Sequence, residues 1–118
     1  MTLGDVQISL QDTVVVAELT GEVDLSNARA IEEAIVVATP NHATRVVIDL
    51  SRLDYLDSAG IQLVYQLREK LQVRGQELRL VVPDRSAAAD ALTLAGVTAH
   101  LDIFQTVAGA DADADEAE

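Results

Sequence analysis

The feature that most narrows the choice of fold is the continuous apolar run from Arg45 to Leu50, which contains Val46-Val47-Ile48-Asp49-Leu50 and is short enough to be a strand. A strand that is apolar on both alternating sides is covered on both faces, the usual condition of a strand inside a parallel sheet. Downstream, Ile61, Val64, Leu67 and Leu71 recur at steps of three, three and four, with Gln62, Gln66, Glu69, Lys70 and Gln72 on the other side. That spacing predicts a helix with one face on the sheet, closed by Gly75. Glu77 to Val82 then reads as another strand, stopped by Pro83. Strand, helix and strand in this order make a crossover, and such crossovers are right-handed.

The flanking segments extend this pattern. Val6, Ile8 and Leu10, then Val15, Ala17 and Leu19, alternate across Gln11-Asp12-Thr13 and predict a hairpin. After Gly21-Glu22-Val23-Asp24, either Asp24 or Ser26 is available to cap a helix with apolar face Ala28, Ile31, Ile35 and Ala38, which Pro40 ends. Asp84 to Ala95 reads as an Ala-rich helix with Gly96 as its C-terminal cap. A short strand is expected near Ala99 to Leu101 and a helical piece near Phe104 to Ala108. Together these predict an α/β fold: a mixed, mainly parallel sheet of four to five strands, helices packed against it, and an antiparallel N-terminal hairpin at one side.

From Ala110 onward the chain carries five acids, no base and only Ala as apolar content, so 1–108 is read as one domain and 109–118 as a disordered acidic tail. Removing those five charges from the total of −12 leaves −7 on the body, which is therefore acidic in its own right. A surface of that sign repels nucleic acid and anionic lipid and favours a basic protein face. With aromatics at 3%, stacking platforms for single strands are not expected either. The absence of cysteine excludes disulfides and thiolate chemistry. No segment reaches bilayer-spanning length and no leader-like run opens the chain, so a cytoplasmic location without membrane association is the default expectation.

The chemistry-bearing segment is Asp57-Ser58-Ala59-Gly60, which lies beyond the Val46 to Leu50 strand, separated from it by Ser51-Arg52-Leu53-Asp54-Tyr55-Leu56, and opens the next helix. Ser is a preferred N-cap, and a helix start favours an anion, so Ser58 is expected to be exposed there and able to carry a phosphate. In open α/β sheets, sites form where strand ends meet helix starts. His42 and His100 lack metal-ligand spacing, no Gly-Lys-Ser/Thr phosphate loop occurs, and the carboxylates form no recognisable acid/base pair. No catalysis, metal or cofactor is expected.

These residues resemble the STAS domain family, specifically the small bacterial anti-sigma factor antagonists. The resemblance rests on Gly21-Glu22-Val23-Asp24 before a helix, on Val47-Ile48-Asp49-Leu50 followed by Tyr55-Leu56-Asp57-Ser58-Ala59-Gly60, and on Leu94-Ala95-Gly96-Val97, all three in order. It implies that Ser58 is phosphorylated by an anti-sigma factor that is also a serine kinase. It further implies that the unmodified form binds this factor and frees a sigma factor, and that a serine phosphatase resets the switch. Asp24, Asp57, Ser58, Ala59 and Gly60 then form the partner face. Asp57 would meet a basic side chain there and Gly60 would let another backbone approach, while Asp24 has the alternative reading of a helix cap. Ala59 leaves one hydroxyl in the loop, although Ser51 is within reach of the same strand end. Two other readings stay open: a STAS adaptor in a signalling or transport assembly that does not switch, and an acyl-carrier-like protein modified at Ser58, whose fold would be a helix bundle.

Overall fold

The computed structural model of the protein describes residues 5–96 and 101–111. The chain opens with the expected hairpin, β1 (Asp5–Gln11) against β2 (Val14–Val23), in a register that sets Gln11 opposite Val14. Asp12 turns the corner at φ 58°, a left-handed conformation that Asp tolerates better than most residues. Along β2 every second residue is buried, so Val15, Ala17, Leu19 and Val23 point into the core.

Three strand–helix–strand units follow: α1 (Ala28–Ala38), β3 (Arg45–Leu56), α2 (Ser58–Val73), β4 (Glu77–Val81), α3 (Ala87–Ala95) and β5 (Ile103–Phe104), with a final α4 (Val107–Asp111). The sheet order is β1-β2-β3-β4-β5, antiparallel only between β1 and β2. Each parallel strand lies beside its predecessor, so crossovers of one hand set α1, α2 and α3 on one face. There Ile31 and Ile35, Leu67 and Leu71, and Ala88 and Leu92 join Val15, Ile48 and Leu80 in a single core. Each fully buried Leu, Ile or Val contributes about 2 kcal/mol by removal from water.

The opposite face is sealed by α4. Val47 and Val81 pack with Ala110, and Val14, Val16, Phe104 and Val107 border them. All six residues from Arg45 to Leu50 are buried, as a strand covered on both sides requires. A five-residue helix does not hold itself together in water, so its partners fix it. The buried Arg79 donates to the carbonyl of Ala110 at 3.0 Å, and the buried Arg45 to that of Asp111 at 2.7 Å. Glu77 accepts from both guanidinium groups, and that of Arg79 lies 5.2 Å from the centre of the Phe104 ring.

Several boundaries differ from those read in the sequence, each for a local reason. β3 does not stop at Leu50 but runs to Leu56. Relative to β2 it carries an extra residue between the Glu18 and Thr20 pairings and another, Asp54, between Gly21 and Glu22. Two bulges shift its burial phase to Leu53 and Leu56, three apart, and erase the period of two by which a strand is recognised. Gly21, at φ 78°, sits opposite this irregular stretch. The α1 stripe continues from Ile35 to Thr39, whose hydroxyl donates to the Ile35 carbonyl, and Ala38 is exposed. α3 starts at Ala87 because the Ser86 hydroxyl caps it by accepting from the Ala89 N–H. Gly75 and Gly96 end α2 and α3 at φ 72° and 67°, as expected.

At the C-terminal end, Ala99 and His100 of the expected strand lie outside the described residues, and Leu101 is not in a strand. The strand is Ile103–Phe104, so the helical piece expected from Phe104 begins only at Val107. The domain boundary placed after Ala108 falls inside α4, because two arginines grip carbonyls that sequence patterns do not register; residues 112–118 lie outside the described residues. Truncation after Ala108 is therefore expected to lower the unfolding free energy by about 3 kcal/mol relative to truncation after Asp111, measured by urea denaturation. Equal midpoints for the two would show that α4 adds nothing to stability.

Candidate functional site

The site lies at the carboxyl ends of β2 and β3. Val23 pairs with Leu56, and the Asp57 N–H donates to the Val23 carbonyl at 3.3 Å, so the loops leaving the two strands run side by side. One holds Asp24 and the other Asp57, Ser58, Ala59 and Gly60. The segment Ser51 to Leu56, which the sequence reading left outside the Val46 to Leu50 strand, is strand, and Asp57 alone separates it from α2.

α2 begins at Ser58, and its N-cap is Asp57, not Ser58. The Asp57 Oδ1 accepts from the N–H groups of Ala59 at 2.9 Å and Gly60 at 3.3 Å, which are donors that the first turn of a helix leaves open. Ser58 is thus the first helical residue, and its side chain is exposed. The carboxylate already fills the anion position at the helix start. A phosphate on Ser58 would be a second anion beside the first, not the filler of an empty seat.

Gly60 is buried and faces inward. A Cβ built there would collide with Leu56 Cδ1 and lie 3.1 Å from Val23 Cγ1. The glycine lets α2 descend onto the ends of β2 and β3; it does not admit a partner's backbone, as the sequence reading had it. Ala59 is half-buried. Ser51, expected near the same strand end, is mid-strand, about 17 Å short of Leu56 at the rise of a strand, and its hydroxyl donates to Asp49 at 2.7 Å.

Asp24 and Ser26 do not cap α1. Asn27 occupies the cap position without a side-chain cap bond, and its amide instead donates to the Glu22 carbonyl at 2.8 Å while its Oδ1 accepts from the Asp24 N–H at 3.0 Å. Asp24 Oδ1 accepts from the Ser26 hydroxyl at 2.5 Å and the Ser26 N–H at 2.8 Å. These bonds hold the Asp24 carboxyl below its ordinary value of 3.8, the hydroxyl contributing most. The loop is fixed by its own polar groups, and its outward product is Leu25, 85% exposed.

Leu25 lines a groove of about 460 Å³ between α1 and α2, with Ala28, Ala59 and Leu63, the polar Arg29, Gln62, Gln66 and Glu69, and the buried Glu32 paired with Lys70. Sequence reasoning missed both the groove and Leu25. The available signal was an apolar residue inside the polar run Asp24-Leu25-Ser26-Asn27, out of phase with the helix that follows. His42 is exposed, His100 is outside the described residues and Tyr65 is half-buried on α2. Among the described residues no cluster of three His, Cys, Asp or Glu side chains is placed to hold a metal, and no helix is long and apolar enough to cross a membrane.

This geometry defines a class: a small α/β domain that displays one hydroxyl at a helix start where two parallel strands end. The five-stranded sheet removes the carrier reading, which needs a helix bundle. The STAS domain family model matches residues 5–110, and the chain belongs to that family. It is 32% identical over 103 residues to the anti-sigma-F factor antagonist RsfB of Mycobacterium tuberculosis, spanning 86% of this chain and 82% of the relative. An anti-sigma factor antagonist from Mycobacterium paratuberculosis has the same fold, with a TM-score of 0.75 and 25% identity over 92% of this chain and 91% of the other. So has the anti-sigma factor antagonist SpoIIAA in its unphosphorylated form, with a TM-score of 0.67 and 21% identity over 96% and 92% of the two chains. The phosphorylated form of SpoIIAA, the Bacillus cell fate determinant, has a TM-score of 0.62 and 23% identity over 96% of each chain.

Gly60→Ala is expected to cost about 2 kcal/mol of unfolding free energy, because α2 must lift from Leu56 and Val23; a thermal melt unchanged from wild type would contradict that packing. Ser26→Ala is expected to raise the Asp24 pKa toward its ordinary value, read from carboxyl carbon shifts in an NMR titration. A depressed pKa stabilises the fold above the unfolded value and the effect is lost as pH falls through the folded one. The stability difference between wild type and Ser26→Ala should therefore shrink as pH falls below the ordinary value of 3.8.

Proposed function

We propose that the protein is an anti-sigma factor antagonist whose unmodified form binds an anti-sigma factor with serine kinase activity, and that phosphorylation of Ser58 switches this binding off. The observation that carries the reading is the exposed Ser58 hydroxyl on the first turn of α2, in a STAS domain whose relative RsfB is an anti-sigma-F factor antagonist. SpoIIAA, which shares the fold, exists in unphosphorylated and phosphorylated forms.

The chain acts as substrate and switch, not as catalyst. Ser58 Oγ attacks the γ-phosphorus of an ATP held by the partner. The new O–P bond replaces the bond to the bridging oxygen, ADP leaves, and the hydroxyl proton passes to a base of the kinase. Ser58, Asp57 and Asp24 form the partner face with Ala59, while Gly60 serves it from below by seating the helix. A serine phosphatase removes the phosphate. The regulated proteins act in the cytoplasm, and neither nucleic acid nor membrane is a partner.

The phosphate adds about −1.5 to −2 charges beside a carboxylate that the helix start already holds, on a face a partner must cover. A partner surface that covers the phosphate without pairing it strips its water, which costs about 3 kcal/mol, or about a hundredfold in affinity. Ser58→Asp adds one charge and less bulk than a phosphate, so it should weaken binding less, about tenfold.

The test is to mix the chain with its cognate anti-sigma factor and ATP. Wild type should gain about 80 Da by mass spectrometry and Ser58→Ala nothing. Calorimetry should find Ser58→Ala binding as unmodified wild type does and Ser58→Asp weakened. Equal affinities for the Ala and Asp variants would instead favour the adaptor that does not switch.

A further inference from the structure

We propose that Leu25 and the groove between α1 and α2 form an apolar anchor site for the anti-sigma factor, which seats an apolar side chain there beside a basic one set against Asp24 and Asp57. This rests on the reading above and adds a specificity determinant to it.

Three observations converge on Leu25. First, the loop from Asp24 to Asn27 spends its polar groups on itself: Asn27 bridges to Glu22 and Asp24, and Asp24 takes both donors of Ser26. The loop is rigid without any partner, so docking on it forfeits little conformational entropy. What it displays is a leucine 85% exposed.

Second, the groove that Leu25 flanks is continuous with the switch loop, because Ala59, the residue after Ser58, lines it. A partner that covers Ser58 therefore meets the groove mouth. Inside, the buried Glu32 carboxylate is paired with Lys70, and Ala28, Ala59 and Leu63 supply apolar wall between the polar side chains of Arg29, Gln62, Gln66 and Glu69, which leaves an uncharged seat among them.

Third, the edge of the site is acidic. Glu22 lies near the end of β2, paired with Tyr55, Asp24 and Asp57 follow the ends of β2 and β3, and Ser26 favours the charged form of Asp24, on a chain of net charge −12. The complement is basic, which points to a protein segment pairing an apolar side chain with Lys or Arg. Phosphate on Ser58 sets bulk beside Ala59 on the groove wall and a new anion that competes with Asp24 and Asp57 for the basic group. Both halves of the site lie under the same switch.

The experiment compares wild type, Leu25→Ala, Leu25→Glu and Val73→Ala, all unphosphorylated full chains, for affinity to the cognate anti-sigma factor by calorimetry. Val73 is the control, 89% exposed at the far end of α2 and about 22 Å along the helix from Ser58. Leu25→Ala should bind about tenfold more weakly, Leu25→Glu weaker still, and Val73→Ala within about twofold of wild type. Circular dichroism and melting should match wild type in all three variants, since both residues are exposed. If wild type binds and Leu25→Ala binds equally well, the anchor is overturned and the antagonist reading stands. If wild type itself does not bind, both are overturned. If Leu25→Ala leaves that affinity unchanged but abolishes self-association seen by light scattering, the occupant is a second copy and the proposal is wrong.

Discussion

The parallel pairing of β2 and β3 continues, through two bulges, to the last residue of each strand, Val23 and Leu56. Everything at the candidate site depends on that persistence. Had β3 ended at Leu50, the loop carrying Ser58 would swing on a six-residue tether; instead the ladder delivers it at a fixed distance from the loop carrying Asp24. The absent side chain of Gly60 completes the joint, since α2 enters directly over Leu56 and Val23. Close contact between a helix start and two strand ends converts backbone pairing into the position of one hydroxyl.

Electrostatics at this joint are arranged around an occupied cap. Asp57 satisfies two N–H groups of α2 and puts a negative charge where the helix favours it. The neighbouring loop is ordered in the same currency, with Asp24 taking both donors of Ser26. Neither carboxylate needs a partner protein to be stable. Both sit at the rim, so an added anion lies beside groups the fold itself has fixed.

Much of this was readable in the residues. The hairpin, the three helices and the strand Arg45 to Leu50 followed from their periods, and the family from three ordered segments, because in each the apolar pattern and the punctuating Gly or Pro agree. What was not readable has a physical reason in each case. The bulges in β3 destroyed the alternation, so strand looked like loop. Asp57 and Ser58 are both good caps, and only the backbone decides which of them holds the position. Gly60 reads alike whether it faces a partner or its own core. Leu25 has no period to belong to, and α4 is held by arginines on strands more than thirty residues away in sequence. The partner-binding roles of Asp24, Asp57, Ser58 and Ala59 rest on their shared location and on the family.

The guanidinium groups of Arg45 and Arg79 grip α4 by the main-chain oxygens of Asp111 and Ala110. Such a clasp is blind to most of the letters written at its target. It demands only a helical bend and something small at Ala110, which is fully buried. The clasp closes the rear of the sheet through backbone shape and the packing of Val107 and Ala110, on the face away from α2 and Ser58.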